Sequence, residues 1–368
     1  MGTRPAKRMH PVVWAIRQHL RRYPDSVRWH AAVWMAAWRV RPVVAQLSAM
    51  KTANPGRPLF GILLIEHIGD IIACEPIIRQ LRAEQPDALI VYVTKQQYTS
   101  LVSPHPQVDA VVYAETMLEA REIIRSKVFD RYVDLHINRK PTEVRDLLYP
   151  KRWGNLSIDA SNYFRYGSLL RSLSMGAGLE PRLEGPQLYI PAASVAAVDK
   201  LSLPERFIAI HTTSTFEQKD WLPARWRELV QYLLDTYDMH VIEVGLRSSI
   251  ELDDPRFASL CGRLSLMETA EVLRRSSFFI GVDSAPAHMA NAWERPGLVL
   301  FGKVPSNDFN PFEGFYARHA EDVVLRHPEL VRDFSADDVV AALESSKLWQ
   351  LAHGTHKRAA EDPETSYR

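Results

Sequence analysis

Three short stretches of this chain bring acidic, hydroxyl, amine and imidazole groups to places where a phosphorylated ligand could be held. The first is Gly281-Val282-Asp283-Ser284-Ala285-Pro286-Ala287-His288, preceded by the apolar run Ser277-Phe278-Phe279-Ile280. That run reads as a buried parallel strand, and Pro286 suits the first turn of a helix, where a missing N–H costs nothing. A strand, a tight turn and a helix N-terminus aim backbone N–H groups at one spot, and that spot suits phosphate. An acid, a hydroxyl and an imidazole beside it point to a nucleotide or sugar-nucleotide site. The competing reading is an ordinary strand-to-helix connection in which Asp283 or Ser284 merely caps the helix. The second stretch is His211-Thr212-Thr213-Ser214-Thr215 with Lys219-Asp220-Trp221, and the third is Ile68-Gly69-Asp70.

The elements that must position these groups alternate along the chain. Residues 59–65 read as a buried strand running into Glu66-His67-Ile68-Gly69-Asp70 and a helix over 71–84. Strands at 89–93, 110–113 and 129–136 follow, with helices at 96–102 and 116–127 between them. A second alternation has strands at 207–211, 240–244, 277–280 and 297–301, with helices at 224–236 and 265–275. Such alternation implies right-handed, mostly parallel, doubly wound sheets. Ligands of such sheets sit beyond the carboxyl ends of the strands. Asp70, His136 and Arg139 all fall at such ends. Residues 150–190 read as a short helix near 163–173 and an extended stretch near 187–190. A helix from 337 to 349 is expected to pack back across two domains that face each other over a cleft. The expected division is 1–58 as a basic helical extension, 59–195 and 196–330 as the two sheet domains, 331–352 as a C-terminal helix and 353–368 as a disordered tail.

Composition narrows the class. The apolar fraction of 46% and charged fraction of 24% are ordinary for a globular protein. Cys74 and Cys261 alone give neither a disulfide framework nor a zinc site, which fits a reducing cytoplasm. No apolar run approaches the length of a membrane span, and the run 31–38 lacks a cleavage pattern, so no signal peptide is expected. The net charge of +1 conceals an asymmetry. Residues 1–58 hold eleven Lys or Arg against the single acid Asp25, a charge of +10, so residues 59–368 carry −9. Helices over 11–22 and 27–40, the second with Trp29, Trp34 and Trp38, suit an anionic membrane surface. Packing of these tryptophans on the following domain is the rival reading, and nothing else in the chain supports nucleic acid.

The three stretches, in this order, resemble glycosyltransferase family 9, the ADP-heptose:lipopolysaccharide heptosyltransferases. The matching segments are the strand with Ile68-Gly69-Asp70 continuing to Pro76, then His211 to Trp221 with Trp226 beyond. The third runs from Ser265-Leu266 through Asp283-Ser284 and His288 to Phe301-Gly302. The resemblance covers residues 59–310. It implies a GT-B fold, with two Rossmann-like domains, the acceptor on the first and the nucleotide sugar on the second. It also implies inversion at the anomeric carbon and no metal. Three departures stand out. Ala285 occupies a position where the family usually has Gly, Lys303-Val304 replaces a common Pro-Thr, and the extension before residue 59 has no counterpart.

Carried over residue by residue, the resemblance makes Asp70 the base for the acceptor hydroxyl and Lys219 the phosphate-binding lysine. General base catalysis by such a carboxylate is worth about 10²–10⁴-fold. A helix cap is the alternative role of Asp70, with His67 the next candidate base, and a solvated surface lysine is the alternative for Lys219. Gly69, Thr212, Thr213, Ser214, Asp283, Ser284 and His288 would complete the donor site, with Gly245 and Leu264 lining the nucleoside pocket. His288 could equally be a core histidine. His136, Arg139 and Lys140 would meet the acceptor, the last two through charge-assisted bonds to a carboxylate or phosphate. No cofactor is implied beyond the nucleotide-sugar donor, ADP-heptose by the resemblance. The partners implied are a glycolipid or oligosaccharide acceptor and an anionic membrane, with the enzyme at the cytoplasmic face of the bacterial inner membrane. Two rival functions remain: transfer of another sugar from UDP, GDP or dTDP, and a catalytically silent scaffold that binds nucleotide sugar. Asp70, Lys219 and Asp283 occurring together argue against silence.

Overall fold

The computed structural model describes residues 25–137, 154–155, 157–237, 239–306 and 308–353. Two helices open it, α1 (Asp25–Arg39) and α2 (Arg41–Ala53). Pro42 does not end the helical segment: it sits in the first turn of α2, where no N–H is needed, so the helix continues to Ala53. Four parallel strands follow, β1 (Leu59–Leu63), β2 (Leu89–Thr94), β3 (Ala110–Tyr113) and β4 (Arg131–Asp134), in the order β3-β2-β1-β4. The helix expected over 71–84 is two helices, α3 (Ile68–Ala73) and α4 (Glu75–Glu84), joined at Cys74. Pro76 sits in the first turn of α4 and has no N–H to continue α3. Between β3 and β4 lies α5 (Met117–Arg125), capped by the Thr116 hydroxyl, which accepts from Glu119 N–H at 3.2 Å.

Side-chain alternation sorts this sheet's two faces. Phe60, Ile62, Leu64, Ile90 and Tyr92 join the core under α3 and α4. Leu59, Leu63, Ile65, Leu89, Val91 and Val93 form a second core with Val40 and Leu47 of the extension and with Ala120 and Ile123 of α5. The extension therefore completes the first domain rather than trailing from it. Leu47 is fully buried, and truncating it to Ala would cost about 2–5 kcal/mol.

A crossing segment holds α6 (Leu169–Gly176) and α7 (Ala192–Asp199). Residues 180–190 are extended and strapped to α4: Glu75 accepts from Gln187 N–H at 2.8 Å, and Arg79 donates to the Gly185 carbonyl at 2.8 Å. Gly185 and Gly314 meet backbone to backbone, and Gly314 has φ 79°, so neither position admits a side chain.

The second domain is a six-stranded parallel sheet of β5 (Phe207–His211), β6 (His240–Glu243), β7 (Phe257–Ser259), β8 (Phe278–Val282), β9 (Gly297–Phe301) and β10 (Val324–Arg326). The order is β10-β9-β8-β5-β6-β7. Its helices are α8 (Pro223–Thr236), α9 (Leu266–Arg275), α10 (Ala285–Ala292), α11 (Ala336–Ser345) and α12 (Lys347–His353). The C-terminal helix expected as one piece is thus two. It packs on this second domain, where buried Trp349 is held by Phe278 at 4.9 Å and Tyr237 at 5.1 Å. His353 is also buried in α12, and residues 354–368 lie outside the described part. In both sheets strand order reverses at one point, between β1 and β4 and between β5 and β8. Ligands of doubly wound sheets gather at such points.

Candidate active site

The carboxyl ends of β1 and β8 face each other at these two reversals. Beyond β1 the chain turns through His67, a non-glycine residue with φ 50°, into α3. Because α3 begins at Ile68, Asp70 lies inside its first turn and does not cap it. The cap reading of Asp70 therefore falls, and its carboxyl is left facing the cleft electrostatics. Loss of solvent, reinforced by Glu66 and then by Asp283 and opposed by Lys219, pushes that carboxyl up to about 7.

Across the cleft, residues 212–221 are fastened at both ends. Asp220 accepts from Ser214 N–H at 2.6 Å, and buried Trp221 donates its indole N–H to the Phe334 carbonyl at 2.9 Å. Between these anchors a short 3-10 turn, Glu217–Lys219, presents Lys219, whose Nζ meets Asp283 Oδ2 at 2.5 Å. Ser284 stands at the cap position of α10, but its hydroxyl donates back to the Val282 carbonyl at 3.1 Å. The expectation that Asp283 or Ser284 caps this helix is corrected: no side chain caps it. One is paired with a lysine and the other with its own strand, so the helix start keeps its anion-binding character.

His288 joins the two domains. It is buried, its ring centroid is 4.9 Å from that of Phe312, and a Cβ added to Gly69 would lie 3.0 Å from its Cδ2. Burial, with a smaller push from Lys219 against the pull of Asp283, lowers its pKa to about 4, so it is a neutral ring at physiological pH. Gly69 is thus explained by the approach of α10 rather than by a turn.

Three residues expected at ligands make hydrogen bonds within the protein. Thr212 is buried and donates to Glu243 Oε1 at 2.9 Å, while that carboxylate also accepts from Ser249 N–H and Ser259 Oγ. The Ser214 hydroxyl donates to the Phe216 carbonyl at 2.8 Å. His136 accepts from Ile65 N–H on Nε2 at 2.9 Å, which places its proton on Nδ1, 2.5 Å from Asp134 Oδ1. Both its nitrogens are used inside the domain, where they fix the loop after β1. Thr213 is half-buried at the cleft side of the same loop, and Leu264 is half-buried just before the Ser265–Glu268 capping box of α9. Gly245 lies just beyond β6 beside His211, whose ring would stand 3.0 Å from any Cβ there. Arg139 and Lys140 lie outside the described residues.

Three further residues enter the cleft. Tyr163 has its phenol pushed up to about 12 by burial and by Asp70 and Asp283, both within its electrostatic reach. Phe216 is exposed and approaches His67 across the cleft, with ring centroids 6.5 Å apart. Arg326, at the carboxyl end of β10, stacks its guanidinium over Phe301 at 5.1 Å and donates from Nη2 to the Phe309 carbonyl at 2.9 Å. Its Nη1 is buried with no partner among the described residues, and Asp283 and Asp308 lie within its electrostatic reach. Tyr163 falls in an aromatic, Gly-rich stretch without a readable period. Arg326 ends a three-residue edge strand too short to announce itself. Among the described residues no group of three or more His, Cys, Asp or Glu side chains is arranged to hold a metal ion. No helix among them is long and apolar enough to cross a membrane.

The fold is similar to that of known proteins. Residues 178–329 match the model of glycosyltransferase family 9 (heptosyltransferase). The chain is 22% identical over 278 residues to lipopolysaccharide heptosyltransferase 3 of Escherichia coli, covering 64% of this chain and 80% of that protein. Among solved structures, the E. coli ADP-heptose LPS heptosyltransferase II superposes with a TM-score of 0.58 at 19% identity, covering 80% of this chain and 99% of its own. A glycosyl transferase family 9 protein from Veillonella parvula DSM 2008 gives 0.56 at 17%, covering 80% and 97%. The architecture is that of these neighbours, the GT-B fold. Over residues 178–329 the chain thus matches glycosyltransferase family 9 (heptosyltransferase), and it is similar to lipopolysaccharide heptosyltransferases.

Proposed function

We propose that the cleft carries out inverting, metal-independent transfer of heptose from ADP-heptose to a hydroxyl of a lipopolysaccharide-core acceptor. The observation that carries this reading is Asp70 with its carboxyl held near 7, within electrostatic reach of both Lys219 and Asp283. A base poised near the working pH is the one that transfers protons best. As the acceptor oxygen attacks the anomeric carbon, Asp70 takes its proton. The bond from that carbon to the diphosphate breaks on the opposite face, and the electron pair leaves with the diphosphate. Lys219 and the start of α10 meet that growing charge, and Arg326 offers a second cation through Nη1. Neutral His288 and Gly69 hold the two halves of the site at contact distance. The choice of heptose, ADP and lipopolysaccharide follows the names of the similar proteins. Action at the cytoplasmic face of the bacterial inner membrane belongs to the same proposal.

The test is transfer from a panel of nucleotide sugars to a lipopolysaccharide-core acceptor, with the anomeric configuration of the product read by NMR. Inversion with ADP-heptose preferred is the expected result. Retention of configuration would overturn the mechanism, and preference for another nucleotide sugar would overturn the donor. Tight ADP binding without transfer of any sugar would replace the enzyme by a binding scaffold.

A further inference from the structure

We propose that the face of α1 bearing Val27, Trp34 and Trp38 docks on an anionic phospholipid bilayer. Of the two readings open to these tryptophans, packing on the next domain fails for Trp34 and Trp38, which are 67% and 57% exposed, with Val27 at 44%. Val27, His30, Trp34, Trp38 and Arg41 are spaced by three or four residues, so all five lie along one side and all are exposed. The other side is the attached one. Ala36 and Val40 are buried there, and Arg39 Nη1 reaches Glu119 Oε1 at 3.2 Å on α5. Further along, α2 is anchored by Leu47 in the core and by Lys51 Nζ on Asp130 Oδ1 at 2.5 Å. The two indoles therefore stand on a helix fixed to the first domain, not on a loose tail.

Charge selects the partner. Residues 1–58 carry +10 and residues 59–368 carry −9, so an anionic surface attracts this end and repels the rest. Six of the eleven cations lie within residues 4–22, next in sequence to the tryptophan face. Indoles on one side of a basic helix fit the headgroup layer, where the ring is half in hydrocarbon and its N–H stays hydrated. This surface lies outside the catalytic reading and stands or falls separately from it.

The test uses the full chain and vesicles of phosphatidylglycerol with phosphatidylethanolamine, against vesicles of phosphatidylcholine alone. Wild type should cosediment with the anionic vesicles only, and less as salt rises from roughly 0.1 M to 0.5 M. The Trp34→Ser/Trp38→Ser double variant should partition about tenfold more weakly or worse. Its melting temperature and its ADP affinity by calorimetry should match wild type, since both positions are solvent-exposed. Undiminished vesicle binding by the double variant would overturn the proposal, as would equal binding of wild type to both vesicle types. A wild-type dimer in analytical ultracentrifugation that the double variant abolishes would also overturn it, by giving the face to a second copy of the chain. If ADP does not bind but vesicle binding follows the expected pattern, the catalytic reading fails and this one holds.

Discussion

The Asp70→Asn substitution should separate catalysis from stability in opposite directions. The carboxyl sits at about 7 in the folded chain against an ordinary value of 3.8, because burial and the nearby acids disfavour its charge. For an acid whose folded pKa is raised, the native state binds more protons than the unfolded state between those two values. Stability therefore falls as pH rises from about 4 to about 7, and the loss is complete above that window. Three units correspond to about 4 kcal/mol as an upper bound. Because Asp70 keeps some solvent contact, about 2 kcal/mol is the better figure. An amide of the same shape carries no such penalty. At about 2–4 °C per kcal/mol for domains of this size, the variant should melt roughly 4–8 °C higher at pH 8 and no differently at pH 4. Its kcat should meanwhile drop by about 10²–10⁴. In wild type, kcat/KM should rise with pH through about 7 and level off, and that limb should be missing from the residual activity of the variant. The assays are calorimetric melting across pH and sugar transfer at saturating donor. A melting offset that does not depend on pH, or a variant less stable at pH 8, would refute the electrostatic account of Asp70. Full activity in the variant would move the base elsewhere.

Other outcomes follow from the same geometry. Lys219→Ala should weaken ADP binding and lower kcat/KM, since Asp283 would be left facing the diphosphate without its counter-ion; isothermal titration with ADP measures this, and unchanged affinity would return Lys219 to an ordinary surface role. Gly69→Ala places a methyl 3.0 Å from His288 and should cost about 1–3 kcal/mol or part the domains. It should lower kcat more than ADP affinity, which the second domain sets; small-angle scattering and the melting temperature report on the two responses. Arg326→Met should raise the Kd for ADP about tenfold while Arg326→Lys recovers part of the loss, as expected of a charge-assisted contact worth about 1.5–3 kcal/mol. Equal losses of melting temperature and affinity in both variants would make Arg326 a support for the Phe309 loop only.

The elements that read clearly in the sequence are those whose burial is complete. β1, β2, β5, β8 and β9 are buried along their whole lengths, so each appears as an uninterrupted apolar run. The strands β7 and β10 are three residues long and incompletely buried, and neither pattern nor length distinguished them from loop. Proline was informative but ambiguous. Pro42 and Pro76 both open helices, and only Pro76 coincides with a break in an expected one.

What stayed hidden is the pairing of groups distant in sequence. Residue types near the site pointed to a phosphate niche, but not to which hydroxyls the protein itself already holds. Thr212 looks like a ligand until Glu243, thirty-one residues later, takes its hydroxyl. His136 looks like a cleft residue until Ile65 and Asp134 occupy both its nitrogens. The same logic works in the opposite direction for Arg326, whose buried Nη1 lacks the protein partner that Thr212 and His136 have. A buried polar atom with a protein partner holds the scaffold, and one without a partner costs stability until something binds. By that criterion Arg326 joins the groups proposed to face the ligand. The glycine at 69 then has a reason that composition could not supply, because it lets His288 close the two sheets on one another.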